Sequence, residues 1–298
     1  MGEKGWPFLG TEARAAGIAT ERKLRSRYTM IYRNVYLPKD IELTARTRAV
    51  AAWLWARRDA TVAGLSAAAL HGTKWIDAAL PAELVRSTAG NVDGIIIRRE
   101  HLHNDETCLI RGIPATNPAR TAYDLGRRDT LTEAVVRLDA LAHKTGVKPD
   151  DVRELLVRHR GARGLGQLRA ALDLMDGGAE SPQETRTRLL LVKAGFPRPQ
   201  TQILVCDPFG YLIGRVDMGW PKWKIGVEYD GPQHWATAAD HARTIERIAD
   251  LEAEGWVIIR LSRDIWRYRP AVFLARVRDA LRAAGWPDHD QINLDVRL

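Results

Sequence analysis

Cysteine is nearly absent: the 298-residue chain has two, Cys108 and Cys206. With no paired spacing, they predict neither a disulfide framework nor a thiolate zinc site. Long apolar runs are missing too. A spanning helix needs roughly 20 predominantly apolar residues, and the most apolar stretches, residues 48–55 and 63–70, are too short. The start (Met1, Gly2, Glu3, Lys4) does not lead into the apolar segment of a secretion signal. Internal repeats and low-complexity tracts are lacking, which excludes solenoids and fibres. These absences predict a cytoplasmic protein with no membrane partner. What is present is a globular composition, 45% hydrophobic and 28% charged, which excludes wholesale disorder. The length suits two or three domains of roughly 100–150 residues each.

The charge is unevenly placed. Residues 1–175 hold 28 Lys+Arg against 20 Asp+Glu, whereas residues 176–298 hold 17 of each, so the whole net charge of +8 lies in the first part. Such an excess suits a polyanionic partner, because phosphate neutralisation is the sequence-independent part of nucleic-acid affinity. A merely soluble basic surface gives the same count.

The first forty residues read as a helix over 8–16, a break at Gly17, a second helix over 21–27 capped by Thr20, and a strand or wing over 30–37 (MIYRNVYL). Helix, turn, basic helix and wing describe a small winged helix-turn-helix, with Arg22, Lys23, Arg25 and Arg27 on the helix that enters the major groove. A helical cap with a solvated basic face is the bland alternative. Residues 41–130 alternate helices and short strands, among them 95–98 (IIIR) and 108–111, with a helix near Asn117 that has Pro118 in its first turn. No set of residues here has the spacing of a known catalytic chemistry, and His71 and the pair His101/His103 read as surface or packed residues rather than ligands. Residues 131–175 are mostly helical, and Gly177-Gly178 marks a flexible join.

After residue 176 the element order reads αβββαβα. Asp217 lies on the second strand, and Glu228 and Asp230 on the third. Alternation with period two sends Glu228 and Asp230 to one face. Clustered carboxylates repel one another unless something positive gathers them, and hard oxygen donors select Mg²⁺ or Mn²⁺. A water on such an ion can attack a phosphodiester. His234, just past the glycine–proline bend, titrates near neutrality and suits proton transfer. Glu184 has two readings: one half of a capping box with Ser181, or a third carboxylate leaning over the hairpin.

The run Ser181-Pro182-Gln183-Glu184, Val216-Asp217 and Val227-Glu228-Tyr229-Asp230-Gly231-Pro232-Gln233-His234-Trp235, with Arg243 and Arg247 beyond, resembles the Vsr-like branch of the PD-(D/E)XK, or restriction-endonuclease-like, superfamily. The resemblance covers about residues 176–270. It implies Mg²⁺-dependent cleavage of double-stranded DNA, with Asp217, Glu228 and Glu184 as metal ligands, His234 as acid/base, and Arg243 or Arg247 facing phosphate. Asp230 stands where that superfamily has a catalytic lysine. Three stretches of the first half resemble AbiEi-like abortive-infection antitoxins and related regulators. These are residues 11–36, 61–72 (TVAGLSAAALHG) and 111–125. This likeness implies a DNA reader with an attached α/β module.

The resulting expectation is a mixed α+β and α/β chain of four parts. Residues 1–40 form a winged-helix reader, 41–130 an AbiEi-like module, 131–175 a helical connector and 176–298 an endonuclease-like domain. The leading function is a Mg-dependent endonuclease or nickase in phage defence or a toxin–antitoxin-like system, with a cognate toxin or antitoxin as a further expected partner. The alternative is a DNA-binding regulator or antitoxin whose nuclease fold is inactive. An RNA-cleaving toxin is a third reading.

Overall fold

The computed structural model describes residues 5–88, 92–230, 238–287 and 292–296, side chains of 238–241 excepted. The chain divides into two compact units, Met1–Met175 and Asp176–Leu298. Both mix helices with sheet. No helix among the described residues is long and apolar enough to cross a membrane.

The first unit opens with an extended pair rather than a helix. β1 (Phe8–Leu9) pairs with Tyr36 and Val35, and α1 (Gly10–Ala15) begins only after it. Ladder bonds to the following hairpin replace what would have been the first helical turn. Gly10 lies against the ring of Tyr36, where a Cβ would come within 2.5 Å. α2 (Glu21–Arg27) starts at Thr20, whose Oγ accepts a hydrogen bond from the Lys23 amide at 3.2 Å. The 30–37 run is not a single strand. It folds into β2 (Tyr28–Tyr32) and β3 (Val35–Pro38), because Asn34 turns the chain in the left-handed conformation, φ 65°, which asparagine tolerates. The three strands order as β1-β3-β2.

α3 (Ala45–Trp55) follows, capped by Thr44, with Ala49, Ala51 and Ala52 fully buried. Then come β4 (Thr61–Val62), α4 (Gly64–Leu70), β5 (Ala82–Val85), β6 (Ile95–Arg98), β7 (Thr107–Ile110) and β8 (Ile113–Thr116). They build a mixed five-stranded sheet, β6-β5-β4-β8-β7. Tyr32 and Val35 share one core with Val50, Leu54, Val62, Leu84, Ile95 and Ile113, so the N-terminal hairpin is part of this unit's interior. Helices α5 (Pro118–Gly126), α6 (Leu131–Thr145), α7 (Pro149–Arg158) and α8 (Leu165–Leu174) complete it. Asn117 caps α5 by accepting from the Arg120 amide at 2.8 Å.

In the second unit α9 (Pro182–Ala194) ends at Gly195, which takes φ 98°. Strands β9 (Gln200–Cys206), β10 (Leu212–Trp220) and β11 (Ile225–Asp230) form an antiparallel meander. α10 (Ala238–Ala253) crosses over to β12 (Val257–Ser262), which lies parallel to β11. The sheet order is β12-β11-β10-β9. α11 (Arg263–Tyr268), which the expected order αβββαβα omits, starts where Ser262 Oγ accepts from the Ile265 amide, and α12 (Pro270–Ala283) follows. Met218, Val227, Leu261, Phe273 and Leu274 belong to its main core.

Candidate functional site

In the second unit the antiparallel register pairs Met218 with Val227. Continuing it by one step sets Asp217 opposite Glu228, and directly opposed residues share a face. The Tyr229 amide donates to Asp217 Oδ2 at 3.0 Å. The Asp217 carboxyl is pushed up to about 7, first by burial and then by the negative charges of Glu184 and Glu228. The Tyr229 amide and Arg247 pull it the other way without prevailing. The three carboxylates are therefore close enough for Asp217 to feel the charges of the other two, although among the described residues they do not form a group with one ligand atom from each within 4.8 Å of the others.

Each has a defined holder. Glu184 is held at the helix start: its amide donates to Ser181 Oγ at 3.2 Å, while its Oε2 accepts from the Glu180 amide, one residue before the cap, at 2.9 Å and from Gln202 Nε2 at 3.1 Å. Glu228, 8% exposed, is gripped by a guanidinium fork, Arg247 Nη1 to Oε1 at 2.6 Å and Nη2 to Oε2 at 2.8 Å. Arg247 is therefore not a side chain turned outward toward phosphate; it is the counter-ion of Glu228. Asp230 is likewise engaged, accepting from Arg260 Nη2 at 2.6 Å. Arg243 is exposed on α10, and His234 and Trp235 lie outside the described residues. Trp220 is core rather than a base-stacking residue, its indole N–H donating to the Pro197 carbonyl at 2.9 Å, and Trp223 packs against the same core.

The proposed reader is only partly as expected. Leu24 buries the inner face of α2 against Ala13 and Ala19, leaving Arg22, Arg25 and Arg27 exposed. Lys23 does not join them: its Nζ donates to the Ile18 carbonyl at 2.8 Å and closes the turn between α1 and α2. Arg25 also pairs with Glu21 across one helical turn, in full exposure, a contact of little energetic weight.

A third constellation has no counterpart in the sequence reading. Arg120, 1% exposed, donates to Glu106, to Asp124 Oδ2 at 3.2 Å and to Glu100 Oε2 at 2.6 Å. Arg127 and Arg128 add bonds to Glu100 and Asp124. Arg128 also reaches Glu83, which Arg98 holds from the strand side at 2.9 Å. Burial alone would raise Glu100 and Glu106. For Glu100 the Arg127 bond and the charges of Arg127, Arg128 and Arg120, and for Glu106 the bonds to and charges of His159 and Arg120, together outweigh it, and both carboxyls lie below their ordinary range. Glu83 also accepts from the Leu65 amide at 3.0 Å, at the start of α4. Gly64 there takes φ 53°, and a Cβ would strike the Glu83 carboxyl at 2.4–2.7 Å. The traces of this network in the sequence are the local pairings of Asp124 with Arg120 and Arg128, four residues to either side, and with Arg127.

Residues 60–174 match the AbiEi antitoxin C-terminal domain. The match lies wholly in the first unit, and every member of the arginine–carboxylate network falls inside it. Two uncharacterized proteins, from two strains of Mycobacterium tuberculosis, are each 31% identical to this chain over 179 residues, 59% of this chain and 66% of theirs. The matched part thus spans just under two thirds of those relatives. No solved structure matches significantly. Within the matched stretch, the network ties α5 to β5, β6 and the turn before β7. Five guanidiniums (Arg98, Arg120, Arg127, Arg128, Arg158) face five carboxylates (Glu83, Glu100, Asp105, Glu106, Asp124), so its formal charge balances. It is a scaffold of charge-assisted bonds whose centre, Arg120, Glu106 and Asp124, is buried and whose rim, Arg158 and Asp105, is exposed.

Proposed function

We propose that this protein is a DNA-binding regulator of the antitoxin kind, in a toxin–antitoxin or abortive-infection pair. The observation that carries this is the AbiEi-type match over 60–174, joined within one compact unit to a helix whose solvent face bears Arg22, Arg25 and Arg27. In this reading α1, the Gly17 turn, α2 and the β2–β3 hairpin act as a winged helix-turn-helix on duplex DNA, and a cognate toxin is the protein partner. The second unit is then a restriction-endonuclease-like fold that does not cut, its Glu228 oxygens both spent on Arg247.

Fluorescence anisotropy with a duplex from the protein's own upstream region tests this. Binding without cleavage, in EDTA and in Mg²⁺ alike, is expected. Arg22→Ala with Arg25→Ala should weaken it and flatten the log–log salt dependence by about 1 per lost phosphate contact. Point substitutions are the right tool, because deleting residues 1–40 would strip Tyr32 and Val35 from the core. Unchanged affinity and slope in the double variant would remove the reader.

A second reading, a Mg-dependent (or Mn-dependent) endodeoxyribonuclease, is favoured by one observation: Asp217 is pushed up to about 7 beside Glu184 and Glu228, a carboxylate group short of positive charge. In this reading Asp217, Glu184 and Glu228 would be the ligands of a hard divalent cation, which requires Arg247 to release Glu228 and the carboxylates to draw together. Bound there, the ion would stabilise charge on a phosphodiester. Arg247, once released, would pair with phosphate, and His234 would be the group to hold or give a proton. Nicking of supercoiled plasmid in Mg²⁺, lost in Asp217→Ala and Glu228→Ala, is the result that would bring this reading forward.

A further inference from the structure

Three donor groups from distant parts of the chain meet at the end of α7. His103 lies on the loop after β6, Glu106 ends the short turn Asn104–Glu106, and His159 is the residue that terminates α7. One ligand atom from each lies within 4.8 Å of the others. His101 adds a third imidazole, its ring centroid 4.7 Å from that of His103, which in turn lies 5.8 Å from that of His159. His159 and Glu106 are 53 positions apart, so no sequence spacing announces the group.

We infer that His103, Glu106 and His159 form a site for a late first-row divalent cation, of which Zn²⁺ is the type. Two imidazoles with one carboxylate select zinc-class ions over Mg²⁺. Metal–ligand bonds of about 2.0–2.1 Å set tetrahedral donors about 3.3 Å apart, a spacing that these side chains reach with small rotations. Glu106 is ready for the role. Arg120 occupies its Oε2, which leaves Oε1 facing His159 Nε2 at 2.7 Å. An ionised carboxylate only accepts, so Nε2 carries the proton in the metal-free protein. The cation takes the place of that proton, which leaves to solvent. Arg158, 3.2 Å from Oε1, keeps its shorter 2.8 Å contact with Asp105. His103 is exposed, which provides the entry path. The bound ion clips the loop after β6 to the end of α7, inside the matched stretch and independently of what the second unit does.

The test uses the full-length, untagged protein, stripped with EDTA and titrated with ZnCl₂ by calorimetry. Co²⁺ serves as a reporter, because a tetrahedral site gives intense visible absorption. One zinc per chain is expected. Loss of a second-shell partner costs 10–100-fold in metal affinity, so His103→Ala, a direct ligand, should lose at least about 100-fold. Because His103 is exposed, that variant should keep its circular dichroism and its metal-free melting temperature, so the loss reads as binding and not as unfolding. His143→Ala on α6 and Asp217→Asn in the other unit should both bind as the parent does. Absence of stoichiometric zinc, equal affinity in His103→Ala, loss that follows Asp217→Asn instead, or competition by equimolar Mg²⁺ would each overturn the assignment.

Discussion

Two groups of buried charge sit in this chain, and they differ in their balance. Around Arg120 every carboxylate has a guanidinium, and Glu100 and Glu106 lie below their ordinary range in spite of burial. At the hairpin of the second unit Arg247 answers Glu228, but at Asp217 burial and the charges of Glu184 and Glu228 prevail over Arg247, and the carboxyl is pushed up to about 7. The first is a closed account, a structural clamp. The second is an open one, an acidic position that takes a proton or awaits a cation. Sequence-level counting of acids does not separate these cases; the partners do.

The comparison breaks first at Arg120. Arg120→Met removes the one guanidinium shared by Glu100, Glu106 and Asp124, leaving Asp124 to Arg127 and Arg128 and Glu106 to His159 and Arg158, and the cost should be about 3 kcal/mol, read as a lower urea midpoint or as failure to accumulate folded protein. A loss below about 1 kcal/mol would mean the network is not a clamp.

Asp217 should act in the opposite sense. Its carboxyl holds a proton in the folded chain up to about pH 7, whereas the unfolded chain releases it near the ordinary value of 3.8. Stability should therefore fall as pH rises from about 4 to about 7 and stay low above. Asp217→Asn should flatten that slope and exceed the parent at pH 8 by roughly 2–4 kcal/mol, with the gap closing below pH 4. Thermal melts across pH check it. Mg²⁺ or Mn²⁺ that restores the parent at pH 8, but does nothing to Asp217→Asn, would sharpen the open-account view.

Arg247→Met should cost about 1–3 kcal/mol and move the Asp217 transition to higher pH, because the lost guanidinium is one of the groups that lowers it. The smallest effect is expected at Arg58, which forks onto Glu12 at 2.6 and 2.8 Å, as Arg247 does onto Glu228, but with side chains 44% and 53% exposed. Arg58→Ala should cost less than about 1 kcal/mol. Equal losses at Arg58 and Arg247 would show that fork geometry, not burial, sets the energy.

Legibility followed the range of the interactions. Strand β6 reads directly as IIIR, and the caps Thr20, Asn117 and Ser181 stand where the sequence puts them, because a cap is a contact between residues three apart. The meander and the facing of Asp217 and Glu228 follow from alternation. The 30–37 run, read as a strand or wing, is a hairpin because Asn34 turns it. The helix expected at residue 8 gives way to a strand that only a partner 28 positions on could stabilise (Phe8 with Tyr36). Lys23 and Arg247, counted as phosphate contacts, are spent on a carbonyl and a carboxylate, because a charge count carries no record of a partner.

From the chain alone came what short-range forces decide: the paucity of cysteine, the basic first unit, the capped helices, the alternating acidic hairpin and the AbiEi-like stretches 61–72 and 111–125, which fall inside the matched residues 60–174. Only folding decided which charges are buried together, because Coulomb energy and desolvation depend on distance and water access, and residues such as Arg120 and Glu106, or Glu106 and His159, become neighbours through the tertiary structure alone.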